Sequence, residues 1–160
     1  MKRLIRKVVS KGLNFTNIFL KNVKGENNKI IIQDNVLAPK LKIKIIGDNN
    51  RIEVSEDSLL LDCNVFIKGN NNRVIIDNNF IGKHVEFWIQ DDDNLIEIKE
   101  RVSIGGKTHF AATEGKTISI GEKTLFASDI VIRTGDSHSI IDMESNQRIN
   151  YANDVRVSNT

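Results

Sequence analysis

What this chain has little of narrows the field before any pattern is read. Its one cysteine, Cys63, cannot form an internal disulfide, and the reducing cytoplasm is the compartment that fits. Cys63 stands between Asp62 and Asn64 in a strand-like run, where a small apolar filler is expected and not a nucleophile. No apolar run approaches the roughly 20 residues of a membrane-spanning helix. The start, Met1-Lys2-Arg3-Leu4-Ile5-Arg6-Lys7, has the basic residues of a secretion signal, but Lys11 and Asn14 interrupt the stretch that follows. A cytoplasmic protein is therefore expected. Charge of one sign is also lacking: the net charge is +2 in 160 residues, and Lys and Arg alternate with Asp and Glu. That argues against nucleic acid as the main partner. No His/Cys/Asp/Glu group has metal-ligand spacing, no Gly-rich phosphate loop is present, and Asp91-Asp92-Asp93 lacks the rest of a calcium loop. Regular Thr-x-Thr ladders of an ice-binding solenoid are missing as well.

What is present is a repeat. Ile30, Ile52, Val74, Ile96, Ile118 and Ile140 recur at strides of 22, and Ile32, Val54, Ile76, Ile98 and Ile120 follow the first five two residues later. Before each stands a polar stretch, from Gly25-Glu26-Asn27-Asn28 through Asp91-Asp92-Asp93-Asn94 to Gly135-Asp136-Ser137-His138. By this count His138 takes the slot filled by Asn28, Asn50, Asn72 and Asn94. A fixed period of this length marks a repeat architecture. With β-branched residues dominant, one proline (Pro39) and Asn-rich corners, the units are short strands and turns.

Within a copy an apolar residue and a small one recur every six, as in Ile104-Gly105 and Phe110-Ala111, and again in Ile120-Gly121 and Phe126-Ala127. This hexapeptide repeat predicts an all-β single-domain solenoid, three short strands per triangular coil, with four extra residues per coil at one polar corner. Residues 1–24 are expected to form an N-terminal cap and 25–160 the β-helix, with a loop excursion over 142–154 and a restart at Val155-Arg156-Val157. One side of the coil takes the columns just given; a second takes Val36, Phe80, Val102 and Thr124 with Leu60, Ile104 and Phe126. On the third side, Leu41, Ile43 and Ile45, then Cys63, Val65 and Ile67, then Val85, Phe87 and Ile89 line up, whereas Phe110, Ile130 and Ile132 fall one residue out of step. A bulge or register change between 85 and 110 follows. Corner asparagines are expected to form a hydrogen-bonded ladder, and Trp88 to stack between Phe66 and Phe110.

The run from Ile118 to His138, ending Arg133-Thr134-Gly135-Asp136-Ser137-His138, with Asn153-Asp154-Val155-Arg156-Val157 beyond it, resembles the hexapeptide-repeat, left-handed parallel β-helix O-acetyltransferases that decorate bacterial surface polysaccharides. The resemblance implies a left-handed coil and acetyl-CoA as acyl donor. It implies the acceptor to be a sugar hydroxyl of a capsule, O-antigen or exopolysaccharide, or its precursor. It also implies a homotrimer with active sites between subunits. It makes His138 the catalytic base, with Asp136, Ser137 and Arg133 as substrate-binding or orienting residues. His109 and His84 match no functional position of that pattern. The family continues through further coils that open with His-Val-Trp-Ile-Gly. This segment is not in the sequence, so a C-terminally truncated chain with an uncapped last coil and weakened acetyl-CoA binding is the expectation. The alternative from a different class is a non-enzymatic β-solenoid serving assembly or binding.

Overall fold

The computed structural model describes residues 7–9, 16–18, 20–136 and 138–158. Among them there is no helix. After an antiparallel pair, Lys7–Val9 with Thr16–Ile18, the chain winds as a β-solenoid whose strands stack into three parallel sheets. The first sheet holds Lys29–Ile32, Arg51–Val54, Arg73–Ile76, Leu95–Ile98, Thr117–Ile120 and Val155–Val157. The second, of four strands, runs from Leu59–Leu61 through Ile81–Lys83 and Ser103–Ile104 to Leu125–Phe126. The third comprises Leu20–Lys24, Lys42–Ile46, Asn64–Lys68, Val85–Gln90, Thr108–Ala112 and Ile130–Arg133. Winding thus begins at Leu20, which pairs with Lys42 one full coil ahead.

Alternation sets which side chains go inside, because successive residues of a strand point to opposite faces. Ile52, Val54, Val74, Ile76, Ile96, Ile98, Ile118 and Ile120 form the buried columns of the first sheet, paired 22 residues apart. On the second side, Leu60, Phe80, Val102 and Ile104 are buried. Ser58, which interrupts that apolar column, is buried too; its hydroxyl accepts from the Phe80 N–H at 3.2 Å. Gly82 in the adjacent column leaves room for the Phe80 ring, since a Cβ there would lie 2.4 Å from it.

The register change expected on the third side is present. Val65 pairs with Phe87 at the usual step of 22, but Phe87 pairs with Phe110, 23 residues on, while the first sheet keeps 22 throughout that coil. The extra residue lies in the Gly105-Gly106-Lys107 corner, and the next corner, Thr113-Glu114-Gly115-Lys116, is one shorter than 90–94. Phe80, Phe87 and Phe110 therefore pack inside in one series, with the Phe87 and Phe110 rings stacked at 5.6 Å. The same shift corrects the expectation for Trp88: its neighbours along the outer surface are Phe66 and Ala111, not Phe110.

The polar corner is tied by two ladders. Asn28, Asn50, Asn72 and Asn94 form the inner one: each side-chain carbonyl accepts the backbone N–H of the next coil, at 3.0 Å for Asn50, 2.9 Å for Asn72 and Asn94, and 3.0 Å for Lys116. Asn50, Asn72 and Asn94 are almost fully buried, so satisfying these donors is what makes the corner affordable. The outer ladder runs in the opposite sense, with the N–H of Glu26, Asp48 and Asn70 donating to Asp48, Asn70 and Asp92. Between the ladders Asn27, Asn49, Asn71 and Asp93 adopt φ of 54° to 60°, a region asparagine and aspartate tolerate better than most.

Candidate active site

Among the described residues the repeat opens once, after Ile130–Arg133. Ile118 pairs with Val155, 37 residues on and not 22, so this crossing carries fifteen more residues than the 113–116 corner before it. The corner itself is closed by its two ends. Thr134 exchanges hydrogen bonds with the Thr113 backbone, accepting its N–H at 2.9 Å and donating to its carbonyl at 3.2 Å. Asn153 N–H donates to the Thr134 carbonyl at 2.8 Å, and Gly135 packs against the buried Ala152, where a Cβ would come within 2.9 Å. The residues between are looped out.

This closure corrects the position inferred for His138. Register carries the inner corner slot from Asn94 to Lys116 and then to Asn153, one residue before Asp154, whose carboxylate accepts the Thr117 N–H. His138 is instead exposed on the outgoing limb of the excursion. Counting by 22 fails here because closure between Thr134 and Asn153 makes the corner independent of the length of the loop.

The excursion is itself ordered by hydrogen bonds. Ile141 and Arg148 form an antiparallel bridge, with Asp142 N–H donating to Gln147 O and Ile149 N–H to Ile140 O. At the tip, Asp142 accepts from the Ser145 hydroxyl and backbone N–H, which holds its carboxyl below the usual range. Asn150 spans the base: its amide donates to the His138 carbonyl at 2.7 Å and to Asp136 at 3.5 Å, and its carbonyl oxygen accepts the Ile140 N–H at 2.7 Å. Arg148 braces Asn150 from behind, donating to its backbone carbonyl at 2.9 Å. Arg148 also pairs with Glu114 at 2.6 Å and lies 5.1 Å from the Tyr151 ring. Glu114 accepts a second bond from the Ala152 N–H, and these contacts, the Arg148 bond foremost, lower its pKa.

Of the residues singled out from sequence, Arg133 and Asp136 line a shallow recess of about 190 Å³ with Trp88, Glu114 and Gly135, and Asn150 joins Asp136 to the His138 turn. Ser137 lies outside the described residues. His138 is exposed, and its imidazole has no side-chain partner among the described residues. The other two histidines are elsewhere: His84, in the corner between the second and third sheets, faces Asp62 at 3.3 Å, and His109, on the third sheet itself, faces Glu86 at 3.1 Å. Cys63 is fully buried, and desolvation pushes its thiol up to about 12, which removes it as a nucleophile at neutral pH. Glu114, Arg148 and Asn150 had no signal in the repeat; only the Arg-x-Asn spacing just before the restart hints at them.

No protein-family model matches the chain. The polysialic acid O-acetyltransferase of Neisseria meningitidis is 29% identical over 135 residues, which are 84% of this chain and 62% of that protein. The polysialic acid O-acetyltransferase of Escherichia coli O1:K1 / APEC is 35% identical over 63 residues, 36% of this chain and 20% of that protein. Among solved structures, the polysialic acid O-acetyltransferase OatWY superposes with a TM-score of 0.84 at 26% identity, over 88% of this chain and 65% of that one. The polySia-specific acetyltransferase NeuO gives 0.72 at 26% identity, over 88% and 59%. The chain spans less than two thirds of the length of these relatives. Repeat, coil geometry and sequence identity together make it a homologue of the polysialic acid O-acetyltransferases, sharing their β-helix over the part that it spans.

Proposed function

We propose that the chain is the β-helix portion of an acetyl-CoA-dependent O-acetyltransferase acting on a sugar hydroxyl of an acidic bacterial capsule polysaccharide, with His138 as its base. The observation that carries this reading is the His138 turn: an exposed imidazole at the one opening among the described coils, fastened by Asn150 beside the Arg133–Asp136 recess. In the reaction the neutral imidazole takes the proton of the acceptor hydroxyl as its oxygen attacks the thioester carbonyl. The carbon–sulfur bond then breaks, and the imidazolium returns the proton to the departing thiolate. An imidazole suits both directions near pH 7. Arg133 is suited to a carboxylate of the acceptor, and Asp136 to orienting either a hydroxyl or, with Ser137, the imidazole. Acetyl-CoA is the acyl-donor substrate. Its adenine and pantetheine arms are far longer than the recess, so only the acetyl end belongs here. A trimer in the cytoplasm completes the reading, with symmetric packing the default for such an assembly.

The test is acceptor choice. With acetyl-labelled acetyl-CoA and the chain extended by the remaining residues of its Neisseria relative, label should enter polysialic acid and be released by mild base, as an ester is; neutral dextran should remain unlabelled. Label in neither polymer, with polysialic acid bound all the same, would favour the non-enzymatic binding module.

A further inference from the structure

The outward positions of the third sheet are unlike the rest of the surface. They carry Lys24, Lys42, Lys44, Lys68 and Arg133 against one carboxylate, Glu86, in a chain whose net charge is only +2. Glu86 is already engaged by His109. None of the five cations is in an ion pair among the described residues. The first sheet has outward cations too, but Glu53 and Glu97 stand among them and pair with Arg51 and Lys99. The second sheet presents mainly aliphatic residues, Leu59, Ile81 and Leu125.

Down the middle of the third sheet runs one column, Lys44, Phe66, Trp88, Ala111 and Arg133. Lys44 Nζ lies 5.4 Å from the Phe66 ring centre, and the Phe66 and Trp88 rings stack at 4.2 Å. Stacking alone would account for an aromatic ladder. It does not account for Trp88 remaining 39% exposed beside an alanine, on the wall of the recess that holds Arg133 and Asp136. Strands of a sheet lie about 4.8 Å apart, so four steps from Lys44 to Arg133 cover about 19 Å, the reach of several sugar residues.

We infer that this outer surface is a binding track for an acidic polysaccharide chain, which Lys42, Lys44, Lys68 and Arg133 hold by its carboxylates and Phe66 and Trp88 by the apolar faces of its rings. The track ends at the recess beside the His138 turn. It rests on the reading above for its occupant, but not for its test, which needs no acyl transfer.

Trp88 is the sole tryptophan, so its fluorescence reports the track directly. Titration with polysialic acid oligomers, without acyl donor, should change the emission saturably, and rising salt should weaken binding, as screening requires. Dextran of equal length should give no change. Lys44→Ala with Lys68→Ala should weaken binding about ten-fold or more, whereas Lys29→Ala with Arg73→Ala on the first sheet should leave it unchanged. Trp88→Ala, followed by calorimetry, should lose affinity while circular dichroism stays native. Binding is read without acyl donor, so a parent chain that binds polysialic acid but, extended by the remaining residues of its Neisseria relative, transfers nothing sinks the enzymatic reading and keeps the track. Four results overturn the track: silent emission, an equal response to dextran, equal loss from the first-sheet pair, or an emission that follows protein concentration without glycan, which would mean that a second copy covers the face.

Discussion

The backbone at His138 is set by a relay of neighbouring side chains. The ring has no side-chain partner among the described residues, while the backbone is held by Asn150, and Asn150 in turn by Arg148 and Glu114. Removing a general base typically costs about 10²- to 10⁴-fold in rate; His138→Ala should fall in that range with its melting temperature nearly unchanged, because an exposed imidazole buries little apolar area. His109→Ala, on the third sheet away from the excursion, should do far less. Glu114 gives the brace a pH dependence with a definite sign. Its folded pKa is lowered, so its contribution is complete above the ordinary carboxylate value and is lost as pH falls through the depressed one. The Ala152 amide resonance, followed by NMR, should titrate in that acid range, and Glu114→Gln should abolish the titration; a resonance that still moves with pH in Glu114→Gln would assign the brace to another group. The choice of His138 as candidate was legible from the Arg-Thr-Gly-Asp-Ser-His stretch. Its setting was not, because the bonds that close Thr134 onto Asn153 and displace the histidine from the asparagine slot join residues with no periodic relation.

The coil, by contrast, is written plainly in the sequence. Strides of 22 gave the sheets, alternation gave the inward columns, and the out-of-step Phe110 announced the 23-residue step; the consequence for Trp88, whose outward neighbour becomes Ala111, escaped, and so did the strand Leu20–Lys24, which lies within the stretch assigned to the cap. The corner ladders make a strict demand on residue type. Asn72 receives the Asn94 N–H and donates to the Asp91 carbonyl in a fully buried position, so Asn72→Ala leaves buried polar groups unpaired. The cost should be about 1–3 kcal/mol, read as a shift in the denaturation midpoint; an unchanged midpoint would deny the ladder a structural role. Gly47 is stricter still. Its φ is 130° and an added Cβ would lie 2.0 Å from the Gly69 carbonyl oxygen, so Gly47→Ala should destabilise more than Asn72→Ala, with the ranking as the check.

For the molecule as a whole, the three sheets divide the labour: a cationic and aromatic third, a mixed first, and an aliphatic second on which Ile81 and Leu125 are 51% and 78% exposed. If the chain assembles as a trimer, the second sheet is the surface that gains from being covered. Light scattering should then report three copies, and Ile81→Glu should lower the mass; a monomer at high concentration would contradict this. The central claim is that a base at the opening of the solenoid transfers an acetyl group to an acidic glycan. Because the chain spans 62% of its Neisseria relative, the deciding measurement uses the chain extended by that relative's remaining residues. Initial rates of labelled acetyl transfer to polysialic acid are compared before and after His138→Ala. The account predicts transfer by the parent and a loss of about 10²-fold or more in the variant; equal rates in the two proteins would contradict it.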